Sequence, residues 1–165
     1  MHDNDISVLL ENIVAALTTR GLMLTTAESC TGGGVAQALT AVPGSSRWFE
    51  RGFVTYSNRS KEEMLGVPEG LLQQYGAVSE QVVCAMAEGA LRHSHAQVSL
   101  AISGIAGPGG GVPGKPVGTV WLAWAAPGQG TRCRCEHFHG DREQIRHQAV
   151  VASLQGVQDV LVDGP

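Results

Sequence analysis

The stretch TTAESCTGGG, residues 25–34, sets three nucleophile types side by side, Ser29, Cys30 and Thr31, after Glu28 and before three glycines. A hydroxyl in such a place attacks a carbonyl or phosphoryl centre only when a base takes its proton. The six histidines hold no fixed offset from an acid, and the G-x-S-x-G elbow of α/β-hydrolases is absent. The two lysines are Lys61 and Lys115. Lys61 closely follows Tyr56, Ser57 and Asn58, and a lysine serves as the base for serine when burial lowers its pKa toward neutrality. Both residues also have a plain structural use. Ser29 or Thr31 as a helix N-cap contributes about 1 kcal/mol, and by composition alone Lys61 reads more readily as a solvated lysine beside Glu62 and Glu63.

Two glycine-rich pieces supply backbone donors. The amides of Thr31, Gly32 and Gly33 are expected to open a helix, where unpaired N–H groups favour a phosphate or an oxyanion. The segment 105–116, IAGPGGGVPGKP, holds five glycines and three prolines and fits neither a Walker A nor a dinucleotide fingerprint. Its expected use is again backbone amides near an anion. A connection this long inside a compact domain is more often functional than idle.

Other reactive types are read as structure. Neighbouring residues on a strand face opposite sides, so Ser29 and Cys30 are not both expected in one cleft, and Cys30 is assigned to packing. CRCEHFH puts Cys133, Cys135, His137 and His139 on one side of a strand. Side chains two apart on a flat strand diverge too far to close one zinc tetrahedron, so no metal is expected. Trp48, Trp121 and Trp124 are assigned to core or subunit contacts.

The elements that must position these groups are legible in the periodicity. Residues 5–20 form an amphipathic helix that Gly21 ends, residues 22–28 a strand, and 31–41 a helix. A strand at 52–58 precedes a short helix from Ser60 to Leu65 and a small helical segment between Pro68 and Gly76. Val78–His95 is a strong helix capped near Ser79, and 96–104 is a buried strand. VGTVWLAWA and TRCRCEHFHG, joined by the turn APGQG, predict an antiparallel hairpin, and Asp141 opens a final helix to about Val162. The pattern predicts a single domain, residues 1–165, of α/β class with helices on both faces of a mixed sheet.

Bulk properties bound the partners. The 165 residues carry a formal charge of −4, which argues against nucleic acid. No run of apolar residues is long enough to span a membrane. The acidic start MHDNDISVLL lacks a signal peptide's basic region, and four cysteines without other marks of secretion point to the cytoplasm. A symmetric homo-oligomer, dimer or higher, is expected, with a hairpin edge available for it.

Five motifs in order carry a resemblance: TAESCTGG, GSSRWFERGFVTYSNRSKEEMLGV, GAVSE, SGIAGPGGG and KPVGTVW. Together they resemble the CinA C-terminal domain family, and within it the stand-alone nicotinamide-nucleotide amidohydrolases, over residues 5–155. The resemblance implies a three-layer α/β/α sandwich with a mixed, mostly parallel central sheet. It implies hydrolysis of the carboxamide of nicotinamide mononucleotide to nicotinic acid mononucleotide and ammonia, without metal or cofactor. Ser29 matches the nucleophile, and Tyr56 and Lys61 match its assistants. Thr31, Gly32, Gly33, Asn58, Ser103, Gly104, Ile105, Ala106 and Gly107 are expected to face the nucleotide, with Arg47 and Lys115 as candidate charge partners. The competing functions are a non-catalytic nucleotide- or partner-binding module, and an amidase for a different amide.

Overall fold

The computed structural model describes residues 3–163, so Met1 and His2, on which the reading of the acidic start partly rests, lie outside it. Helix α1 (Asp3–Arg20) leads into β1 (Leu24–Glu28), α2 (Gly34–Thr40), a 3₁₀ turn at Ser45–Arg47 and β2 (Phe49–Val54). Three helices follow, α3 (Asn58–Leu65), α4 (Glu69–Tyr75) and α5 (Glu80–Arg92). Strands β3 (Val98–Gly104), β4 (Thr119–Ala126) and β5 (Gly130–His137) then precede α6 (Arg142–Asp163).

The sheet order is β2-β1-β3-β4-β5. β1 pairs parallel with β2 and β3, while β4 is antiparallel to both β3 and β5. Only β4 therefore runs against the other strands, and the sheet is mixed and mostly parallel as expected. Side-chain alternation sorts the core into two layers. Leu24, Leu100, Ile102 and Leu122 face α1, α2 and α6, where Ile13, Leu17, Leu39 and Leu154 are fully buried. Each such side chain contributes about 2 kcal/mol. Ala27, Ala101 and Ala123 face the other layer, where Leu65, Val83 and Met86 come from α3 and α5. Small residues on this face let those helices approach closely.

Local chemistry sets the boundaries. Gly21 at φ +65° ends α1, and the amide of Leu22 reaches back to the Leu17 carbonyl. Ser57 and Ser60 cap α3 reciprocally, and Ser79 caps α5 through the amide of Val82, as its sequence position predicted. Asp141 accepts from the amide of Gln144 at 2.8 Å to start α6, and Gln144 answers the Asp141 amide at 2.8 Å. Several boundaries differ from expectation, and two of them bear on the site. α2 begins at Gly34, because Gly32 and Gly33 at φ +58° and +101° cannot continue a right-handed helix. β2 lies at Phe49–Val54, pulled back by its pairing of Phe49 with Leu24, so Tyr56 and Asn58 lie beyond the strand.

Close helix packing positions α3. A Cβ on Gly89 of α5 would overlap the carbonyl of Leu65 at the end of α3. Since a backbone atom must then move, Gly89→Ala is expected to cost about 3 kcal/mol. A thermal melt should show a fall of roughly 6–12 °C, and an unchanged melt would contradict the packing.

Candidate active site

β1 delivers Ser29 one residue past its carboxyl end, the rim where open α/β sheets bind ligands. The Ser29 amide donates to the Ile102 carbonyl at 3.0 Å, which carries the β1–β3 register one step further and places Ser103 beside it. Glu28 and Cys30 turn toward the α2 and α6 layer, and Ser29 toward α3.

On that side stands Lys61, the largest fully buried side chain among the described residues at 1% exposure. Its Nζ donates to the Ser29 Oγ at 3.0 Å and to the Thr55 carbonyl at 2.8 Å. Thr55 is fixed in turn, since its amide donates to the Glu28 carbonyl at 2.8 Å. Burial lowers the Lys61 pKa from 10.5 to about 8, because the charged ammonium has lost its water. Burial moves Cys30 the other way, up to about 11, so near neutrality it is a thiol and a poor nucleophile.

Ser29 and Lys61 open onto a cleft of about 290 Å³ that Cys30 also lines. This corrects the expectation that Ser29 and Cys30 would not share one cleft: both lie past Glu28, the last residue of β1, in the turn where strand alternation no longer holds. Tyr56, Asn58, Ala77 and Val78 form one side, and Ser103 to Gly107 with Gly109 and Gly110 form the other. Gly104 is required here, since a Cβ would meet Val120 Cγ2 at 2.6 Å. Arg142, in the first turn of α6, closes the mouth. Its guanidinium donates to the Gly107 carbonyl at 2.7 Å and to the Tyr56 hydroxyl at 3.1 Å, and Tyr56 is 62% exposed. Among the described residues no carboxylate lines this cleft, while Lys61 and Arg142 do, so its field favours an anion. A larger apolar groove of about 630 Å³ lies between α1 and Ala41–Pro43, but it holds none of these reactive groups.

The structure thus brings Ser29, Tyr56, Lys61, Asn58, Ser103, Gly104, Ile105, Ala106 and Gly107 to one cleft. Thr31, Gly32 and Gly33 are not among its walls. The Gly32 amide is spent on the Ser29 carbonyl at 3.0 Å, and the Thr31 hydroxyl donates to Glu28 Oε1 at 2.6 Å. The first amides of α2, those of Val35 and Ala36, donate to the Glu28 carboxylate at 2.9 and 3.1 Å. Lys115 is tied to the Tyr75 carbonyl at 2.8 Å, and Arg47 ends the 3₁₀ turn away from the cleft. The Cys133 thiol donates to Glu80 at 3.2 Å, and among the described residues no three metal-type ligands gather.

Sequence reasoning missed Arg142. The signal was its position, since a cation in the first turn of a helix opposes the dipole and needs an anionic partner to justify it.

The sequence pattern that defines the CinA C-terminal domain matches residues 6–161. The chain belongs to the CinA C-terminal domain family. Solved CinA-superfamily proteins share its fold. One from Klebsiella pneumoniae superposes with a TM-score of 0.91 at 40% identity, over 96% of this chain and 99% of that one. The competence/damage-inducible protein CihA from Agrobacterium tumefaciens gives 0.92 at 44% identity, over 98% of each chain. Among CinA-family sequences, the nicotinamide-nucleotide amidohydrolase PncC of Pseudomonas putida is 60% identical over 81% of this chain and 83% of its own. That of Escherichia coli strain K12 is 55% identical over 94% of both. A longer CinA-like protein from Akkermansia muciniphila is 56% identical, and the match covers 36% of its length. No helix among the described residues is long and apolar enough to cross a membrane.

Proposed function

We propose that this chain hydrolyses the carboxamide of nicotinamide mononucleotide, releasing ammonia and nicotinic acid mononucleotide. The contact that carries this reading is the one between the buried Lys61 amine and Ser29 Oγ at 3.0 Å. The names of its relatives in Pseudomonas putida and Escherichia coli supply the substrate.

With Lys61 neutral, the bond runs the other way and the Ser29 hydroxyl donates to the Nζ lone pair. Oγ attacks the amide carbon as its proton passes to Lys61. The tetrahedral intermediate places negative charge on the former carbonyl oxygen, facing the amides of the Ala106–Gly107 wall. Its collapse breaks the C–N bond, and Lys61 returns the proton so that nitrogen leaves as ammonia. Water, deprotonated by the same amine, then cleaves the acyl-serine ester to the carboxylate and restores the hydroxyl. Tyr56 and Asn58 border the ring, and Arg142 with the start of α6 receives the 5′-phosphate.

The test is ammonia release from the mononucleotide in the presence of EDTA, matched mole for mole by the nicotinic acid product. Folded protein that releases none would overturn the reading. Arg142→Gln is expected to lower kcat/KM for the nucleotide roughly 100-fold, about 2.7 kcal/mol, the size of a charge-assisted phosphate contact. The riboside, which lacks the phosphate, should be little affected. Equal losses on both substrates would remove Arg142 from phosphate recognition.

A further inference from the structure

The residue before Ser29 is a buried carboxylate that the chemistry above does not use. Glu28 is 0% exposed. Its Oε1 accepts from the Thr31 hydroxyl at 2.6 Å and the Val35 amide at 2.9 Å, and its Oε2 from the Ala36 amide at 3.1 Å. From α6, Arg146 grips the same turn on another side, donating to the carbonyls of Cys30 at 3.1 Å and Thr31 at 3.3 Å. Between these two holds lie Gly32 and Gly33, both at positive φ, which without restraint are the most freely moving backbone available.

The main chain of Glu28 acts as well. Its carbonyl accepts from the Thr55 amide at 2.8 Å, and the Thr55 carbonyl accepts from Lys61 Nζ at 2.8 Å. One residue therefore holds the turn that carries the hydroxyl with its side chain, and the strand end that orients the amine with its backbone. A proton crosses between those atoms only if their separation and angle are kept, and a displacement of about 1 Å in such a pair costs on the order of 10²-fold in rate.

We propose that Glu28 is the positioning residue of this site, its carboxylate clamping turn 29–33 against α2 while Arg146 clamps it from α6, so that Ser29 Oγ stays within reach of Lys61. The proposal rests on the Ser29–Lys61 reading. It also gives the carboxylate a role distinct from tuning the amine through its charge, because a tuning anion would set the pH at which the enzyme switches on.

The experiment compares full-length wild type, Ser29→Ala, Glu28→Gln, Thr31→Val and Thr31→Ser on nicotinamide mononucleotide, with kcat, KM, pH profile and thermal melt for each. Glu28→Gln keeps the shape but has one acceptor oxygen in place of two, so its N–H₂ faces an amide, that of Ala36 or of Val35, that needs an acceptor. It is expected to lose roughly 100-fold in kcat with KM within about threefold, and with the pH midpoint of kcat/KM unmoved. Cooling the assay, which refolds a merely unstable variant, should restore nothing. Thr31→Val is expected to lose about tenfold, and Thr31→Ser, which keeps the hydroxyl, to recover most of it. If Glu28→Gln does not fold, the Thr31 pair decides alone. Wild-type kcat in Glu28→Gln beside a dead Ser29→Ala would overturn the positioning role and leave the dyad standing. A displaced pH midpoint with an intact plateau would overturn it in favour of charge tuning. An active Ser29→Ala would instead strike the reading beneath it.

Discussion

Replacing Lys61 with methionine is expected to silence ammonia release while leaving the protein as stable as wild type or more so. The two effects have one cause. Lys61 is buried, and its pKa has fallen from 10.5 to about 8, so holding it charged at pH 7 costs the fold about 3 kcal/mol. Methionine fills a similar volume without that cost, although it leaves the Thr55 carbonyl short of a donor. The net gain should be about 1–2 kcal/mol, read as a higher urea midpoint at pH 7.

The pH dependence carries the sign. The unfolded lysine keeps its proton up to about 10.5 and the folded one releases it above about 8. Between those values the unfolded state binds more protons, so the stability of wild type rises with pH in that window, and the Lys61→Met variant should lack this slope. On the proposed mechanism, activity follows the neutral amine. It should climb about tenfold per unit below pH 8 and level off above it. An enzyme whose rate is flat from pH 6 to pH 9 would show that Lys61 is not the base.

Ser29→Ala is the second large effect, a loss of at least about 10⁴-fold in kcat, as for nucleophiles that work as a unit with their base. The fold should be unaffected, since the side chain is small and its amide bond to Ile102 remains. Cys30→Ala is the matched control and should retain most of the activity. It packs into the core while bordering the cleft, and burial holds its thiol protonated at neutral pH. If the two variants exchanged these behaviours, the nucleophile would be the thiol.

Much of this site was legible in the chain because its logic is local. Ser29 follows the end of β1 directly, and the run Tyr56, Asn58, Lys61 lies just beyond a neighbouring strand of the same sheet. The capping residues Ser79 and Asp141 could be read for the same reason, since a cap and its amide are neighbours in sequence. What stayed hidden depends on distant partners. Glu28 reaches amides seven and eight residues on, Arg142 touches Gly107 across 35 residues, and Arg146 grips carbonyls more than a hundred residues away. The expectation that Thr31 to Gly33 would bind an anion treated the helix start as vacant. The Gly32 amide instead closes the turn on the Ser29 carbonyl, and the Glu28 carboxylate takes the amides of Val35 and Ala36 where α2 begins.

α6 begins at the cleft with Arg142 and runs 22 residues before it ends, about 33 Å of helix. The chain therefore leaves the sheet far from the mouth, near the Arg132–Asp163 ion pair at the opposite end of the hairpin. A tag, a bead or a second protein attached after α6 would hang at that distant pole and leave the mouth of the cleft clear. Immobilised by that end, the enzyme should keep the turnover it shows free in solution.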